Sequence, residues 1–224
     1  MTDPLYQFSV NSSLLPIAVF FFFFYRNRKD RLWLVVLYAL YSYTSDLLEA
    51  HFITVPNKPD NPVALFYIAT AFTFVEGTAF GFFIFSFIKN LTARRVMITL
   101  YLVEILIGVY TIIYQAYGDR NDIFVVSEEL SVIVICIFYF YEQMNNPEVT
   151  FLYESKEFWV IMAFFFYTTS TLFLFICLNG LPEDKKMEYY AIGQIGNIVK
   201  NILLVVGLIK STTVPALGKL GRKL

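Results

Sequence analysis

The stretch LLPIAVFFFFFYRNRKDR, from Leu14 to Arg31, decides how this chain is read. Its first part, Leu14 to Tyr25, carries no charge and includes five consecutive phenylalanines, Phe20 to Phe24. Its second part crowds Arg26, Arg28, Lys29 and Arg31 together. An apolar helical run that stops on a basic cluster is the pattern of a membrane span meeting the cytoplasmic boundary, where positive residues are retained during insertion.

Working outward, the same pattern recurs along the chain. A hydrocarbon layer of ~30 Å takes about 20 residues of α-helix. Seven segments are long enough, near 9–25, 32–52, 63–88, 95–117, 122–142, 158–178 and 187–209. The third opens on Pro62, suited to a first helical turn, and ends before Lys89, Arg94 and Arg95. Tight turns join the fourth to the fifth at Gly118-Asp119-Arg120-Asn121 and the sixth to the seventh at Gly180-Leu181-Pro182. The composition agrees, with 224 residues that are 58% hydrophobic and 19% aromatic, including 25 Phe and 16 Tyr. The expected fold is an all-α integral membrane protein, a seven-transmembrane-helix bundle in residues 1–210, with a basic cytoplasmic tail over 211–224. The segment Met1 to Ser12 has Asp3 and no Lys or Arg, so the first apolar run is expected to be retained rather than cleaved as a signal.

Orientation follows from the basic residues. Arg26, Arg28, Lys29, Arg31, Lys89, Arg94, Arg95, Lys156, Lys210, Lys219, Arg222 and Lys223 fall on one side; Lys58, Arg120, Lys185 and Lys186 fall on the other. That bias places the N-terminus outside and the C-terminus in the cytoplasm. The acidic connection from Glu142 to Glu157 runs against it. A formal net charge of −1 offers no basic patch for nucleic acid. The lipid bilayer is the first expected partner, and a homo-oligomer is compatible with the pattern.

Ionisable residues inside spans cost at least ~2.5–3.5 kcal/mol each at a helix centre, so they usually face the bundle interior and often mark function. Lys200 lies near the middle of span seven. Asn197 and Asn201 stand one turn from it on the same flank, where they are expected to satisfy the ammonium, and Gly193 and Gly196 permit close helix approach. Glu76 in span three and Glu104 in span four compete as its counter-ion. Asp46 and Glu49 of span two, with Glu128 and Glu129 of span five, form a second acidic group in the outer half, near His51. The functional expectation is a polar ligand, ion or proton pocket, acidic at its mouth and closed at midplane by a Lys200–carboxylate pair. The plainer reading is a salt bridge that only fixes packing, with Asp46, Glu49 and Glu129 reaching water by snorkelling.

Other chemistries find little support. Cys136 and Cys177 lie at different depths and are expected to stay unpaired, and a single histidine excludes a zinc site built from several. There is no serine elbow, P-loop or dinucleotide turn, so an enzyme is not the favoured reading. A lipid-modifying enzyme would have to use Asp46, Glu49 and His51. No cofactor is expected. Retinal on Lys200 is a subsidiary alternative, suggested by microbial rhodopsins, whose seventh-helix lysine bears the chromophore; span six here lacks the proline of that family's pattern.

Three stretches carry a resemblance: Tyr139-Phe140-Tyr141-Glu142-Gln143, the run from Pro147 to Phe158-Trp159, and Gly196-Asn197-Ile198-Val199-Lys200-Asn201-Ile202-Leu203-Leu204. They resemble a group of uncharacterised small bacterial seven-helix membrane proteins, some encoded beside two-component sensor kinases. The resemblance implies a bacterial inner-membrane location and a sensor kinase as partner. The expected function is a membrane-embedded sensory or signalling component. The alternative is a proton- or cation-coupled transporter or channel, although no inverted repeat is visible.

Overall fold

A computed structural model describes residues 4–23, 32–54, 62–114, 122–146, 152–178 and 183–210. Among these residues the chain is all-α. The helices are α1 (Pro4–Ser12), α2 (Leu14–Phe22), α3 (Trp33–Thr54), α4 (Pro62–Phe85), α5 (Leu91–Tyr114), α6 (Asp122–Met144), α7 (Lys156–Leu178) and α8 (Glu183–Lys210), with one 3-10 turn at Leu152–Glu154. The tail at 211–224 and the basic turn at 24–31 lie outside the described residues.

The first rod is α1 and α2 together, a 19-residue apolar run over Pro4–Phe22. Its break at Ser13 has a cause in the sequence. Pro16 has no N–H to donate to the Ser12 carbonyl one turn back, and the Ser13 N–H bonds to the Val10 carbonyl instead, at 3.2 Å. The rod starts earlier than the expected 9–25, because Ser9 and Ser12 find polar partners inside the bundle. Elsewhere the boundaries move with caps. Asn90 Oδ1 accepts the Thr92 and Ala93 N–H groups at 2.8 and 3.2 Å, so α5 starts at Leu91 rather than near 95. Ser155 Oγ accepts the Phe158 N–H at 3.1 Å and opens α7. Glu142, at the end of α6, accepts the backbone N–H of Lys89 at 2.7 Å and of Asn90 at 3.2 Å, which ties the α4–α5 turn to α6.

Six of the seven rods are long and apolar enough to cross a membrane. The exception is α3, whose Ser42, Ser45, Asp46, Glu49 and His51 lower its hydropathy. The outer surface is apolar: Phe22 is 83% exposed, and Leu102, Leu106 and Ile113 of α5 face outward, whereas Glu76, Glu128, Glu129 and Lys200 are buried. A water-soluble protein would show the opposite arrangement, so the described residues form an all-α bundle of membrane type.

The bundle interior changes character along its axis. One end is an apolar core built from Val35, Ile84, Ile88, Cys136, Ile161, Leu204 and Leu208. Stacked and edge-on aromatic rings cap it. Phe80 and Phe164 lie 3.8 Å apart and nearly parallel, and Tyr38 packs against Phe80 at 4.8 Å. The other end is polar and hollow.

Helices α7 and α8 pack closely because small residues let their backbones approach. A Cβ added at Gly196 would sit 2.7 Å from Ser170 Cβ, and one at Gly207 would sit 2.9 Å from Val160 Cγ2, whereas at Gly81 it would meet nothing within 4 Å. Gly196→Val is therefore expected to destabilise the bundle by about 1–3 kcal/mol, the usual cost of overpacking. Gly81→Ala should be neutral or slightly stabilising. Thermal unfolding of the two variants in detergent micelles tests this, and equal melting temperatures would refute the packing argument.

Candidate functional site

The hollow end encloses a cavity of about 610 Å³. It is lined from α1, α3, α4, α6, α7 and α8, and Asp46, Glu49, Glu76, Glu128 and Glu129 all face it. Tyr6 and Tyr190 also line it, and Gln194 and Asn197 extend the α8 wall. The face of α3 that makes this wall follows the helical period: Ser42, Asp46 and Glu49 fall four and three residues apart, Ser45 flanks Asp46, and Tyr38 continues the stripe one turn before Ser42.

Lys200 sits directly behind the cavity floor and is 1% exposed. Its Nζ donates to the Tyr38 hydroxyl at 2.8 Å, and the Tyr38 hydroxyl donates in turn to Glu76 Oε1. The ammonium also rests 3.9 Å from the centroid of the Tyr167 ring and 4.9 Å from that of Tyr38. Lys200 makes no direct ion pair among the described residues, so its link to Glu76 passes through a tyrosine. A low-dielectric interior makes each bond of this chain strong and each unmade one costly.

The expectation that Asn197 and Asn201 satisfy the ammonium needs correcting. Asn201 Nδ2 donates to Ser12 Oγ at 2.8 Å and Ser13 Oγ at 3.2 Å. Asn197 Nδ2 donates to Ser9 Oγ at 2.9 Å. Both amides turn to buried serines of the first rod, Ser9, Ser12 and Ser13, and dock it onto α8. Glu104 also lies elsewhere. It is buried beside Ser131 and lines a separate cavity of about 320 Å³ among α4, α5 and α6, so it does not face Lys200. Glu129 is 1% exposed and faces the cavity rather than bulk solvent, while Glu49 is exposed at the mouth. Cys136 and Cys177 are both free.

Glu76 of α4 and Glu128 and Glu129 of α6 converge, each offering an oxygen within 4.8 Å of the other two. Thr171 is within hydrogen-bonding reach of Glu129. Among the described residues, Glu128 Oε1 and Glu129 Oε2 are buried without a hydrogen-bond partner, and so is Gln194 Oε1 of α8. The residues that sequence reasoning missed are Tyr38, Tyr167 and the serines of the first rod. Only the polar stripe on α3 signalled Tyr38. No protein-family model, curated protein or solved structure matches this chain.

Tyr38→Phe leaves the ammonium without its hydroxyl and Glu76 without its donor, an expected loss of about 1–3 kcal/mol. Lys200→Met removes the cation that compensates Glu76 and should cost more, about 3–5 kcal/mol, whereas Lys200→Met combined with Glu76→Gln should recover much of it. Unfolding in mixed micelles measures all three. A double variant no more stable than Lys200→Met would show that Lys200 and Glu76 do not act as a pair.

Proposed function

We propose that this chain is a membrane-embedded sensory or signalling component of the bacterial inner membrane. All seven rods span the bilayer in this reading, with the N-terminus outside and the cavity opening outward. The crossing of α3 is supported by its outward face, where Leu37, Leu40, Leu47 and Leu48 are exposed and its polar residues turn inward. Orientation rests on the basic-residue bias. Reporter fusions at the C-terminus are expected to be active in the cytoplasm, and a periplasmic signal would reverse the assignment.

The observation that carries the reading is the one-sidedness of the interior. A polar cavity leads from one end down to Lys200, Tyr38 and Glu76, and stops there against a packed aromatic and aliphatic core. That geometry suits reception of a proton or small ligand better than a conducting path. Helix α8 links the floor to the far end. It carries Lys200 in the core and Lys210 ten residues on, about 15 Å along the axis. Lys210 Nζ donates to the Tyr153 carbonyl at 2.7 Å, and Trp159 Nε1 donates to the same oxygen at 2.7 Å. A change in how Lys200 is held would move α8 and, through Lys210, the turn between α6 and α7. A sensor kinase docked on that turn would read it. The rival transport reading is favoured by one feature, the five carboxylates along the cavity, which could serve as stations for protons or cations.

Fluorescence separates the two. In a Trp33→Phe background Trp159 is the sole tryptophan and lies beside Lys210. Acidifying the cavity side of proteoliposomes is expected to shift its emission, and Tyr38→Phe or Lys200→Met to abolish the shift, with no proton or cation flux. Flux that disappears in Glu76→Gln would favour the transporter. A visible absorption band lost in Lys200→Met would instead favour retinal.

A further inference from the structure

We propose that the floor of the cavity is a binding site for a hard divalent metal cation of the Ca²⁺ class, held by Glu76, Glu128 and Glu129. The inference deepens the sensory reading, by naming what the cavity receives.

Three features lead to it. The first is the donor set. Three carboxylates from two helices present oxygens within 4.8 Å of one another, and each residue is at most 3% exposed. Oxygens around one Ca²⁺ stand about 2.3–2.6 Å from the ion, so two ligands on opposite sides are about 4.6–5.2 Å apart. A spread bounded at 4.8 Å fits that shell. Cys136 belongs to the apolar core and His51 is exposed, so neither adds the sulfur or nitrogen that softer metals prefer.

The second feature is unanswered polarity. Glu128 Oε1 and Glu129 Oε2 are both acceptors, and no donor among the described residues reaches them. Buried acceptors of this kind are normally bonded, and an unanswered one costs roughly 1–3 kcal/mol, more when charged. One proton would serve one such oxygen. A metal ion would serve both at once, and the cavity leaves room for waters to complete the usual ~6–8 ligands of Ca²⁺. Lys200 does not fill this role, because its ammonium is engaged by Tyr38 and the Tyr167 ring.

The third feature is a packing constraint. Glu128 lies against Gly77, where an added Cβ would stand 2.9 Å from Glu128 Cγ and 3.2 Å from its Oε1. Only glycine leaves the carboxylate in this position, so the sequence gives up a side chain on α4 to seat Glu128 beside Glu76. The ion would bind Glu76 beside the Tyr38 hydroxyl that donates to it, and so act on that hydroxyl and on Lys200 behind it.

Mn²⁺ binding to the purified full chain in nanodiscs, followed by electron paramagnetic resonance with Ca²⁺ as competitor, tests the site. One saturable, Ca²⁺-displaceable Mn²⁺ per chain is expected. Glu128→Gln and Glu129→Gln should each weaken it by about tenfold or more, since affinity follows ligand charge. Gly77→Ala should weaken it with every carboxylate retained, and Glu104→Gln should leave it unchanged. Ca²⁺ should raise the melting temperature of the native chain but not of Glu128→Gln, which also verifies that the variant is folded. Absence of saturable binding, or native affinity retained in both Gln variants, would overturn the metal site; a Trp159 response to acid would still stand in that case. Binding at these residues with a silent Trp159 would support the site and refute the sensory reading.

Discussion

An ammonium with almost no contact with solvent is the constraint around which this bundle is organised. Lys200 cannot be buried at tolerable cost unless something replaces its hydration. The Tyr38 hydroxyl supplies one hydrogen bond, the Tyr167 ring supplies a cation–π face, and Glu76 supplies the opposite charge one hydrogen bond away. These groups come from α3, α4, α7 and α8, so satisfying one side chain fixes the relative depth of four helices. Aromatic packing beneath them seals the arrangement, because Tyr38 is both the hydrogen-bond bridge and an edge of the Phe80–Phe164 stack.

The division of the interior follows from that level. Below it, aliphatic and aromatic side chains fill the space. Above it, the helices carry serine, threonine, asparagine and carboxylates inward, and groups that must be solvated or partnered keep the helices apart. The first rod closes one side of the hollow by polar contacts: Asn197 and Asn201 reach its serines at the point where Pro16 has loosened the helix. Interhelical amide–hydroxyl bonds suit an apolar solvent, in which hydrophobic burial contributes little between helices. The closely packed α7–α8 pair forms the opposite wall, and its glycines let α8 carry a lysine and two asparagines without pushing α7 away.

Much of this was legible in the sequence, and the part that was not has identifiable causes. The positions of the long helices among the described residues follow from apolar runs and their stops. Lys200, Glu76 and Glu128 stand out because a charge inside an apolar run is conspicuous. Sequence spacing along one helix, however, says nothing of what lies across from it. Asn197 and Asn201 share a flank with Lys200, yet their amides point to serines almost two hundred residues away, and Glu104, as central in its span as Glu76, faces a different cavity. Sixteen tyrosines are spread along the chain, and the two that hold the ammonium are hidden among them. Glu129 was misjudged because depth within a span does not reveal which way a residue faces.

The helix that hydropathy handles least well is the most informative. Hydropathy averages a helix over its circumference, and α3 falls below the threshold because one face carries Ser42, Ser45, Asp46 and Glu49 while the other carries leucines. A uniformly apolar α3 would read as a clear span and leave no polar wall. A uniformly polar one would expose its leucine positions as charge to lipid. The mixed helix fits only if its polar face has something polar to meet, and the opposing wall supplies it with Glu76, Glu128 and Glu129. The excess of carboxylates over the one interior lysine then requires protons or a cation, because a low-dielectric interior does not hold several uncompensated negative charges so close together. The weak hydropathy of α3, the cavity and the acidity of its floor are thus one property of the molecule, an interior in which polar faces of separate helices meet across a hollow.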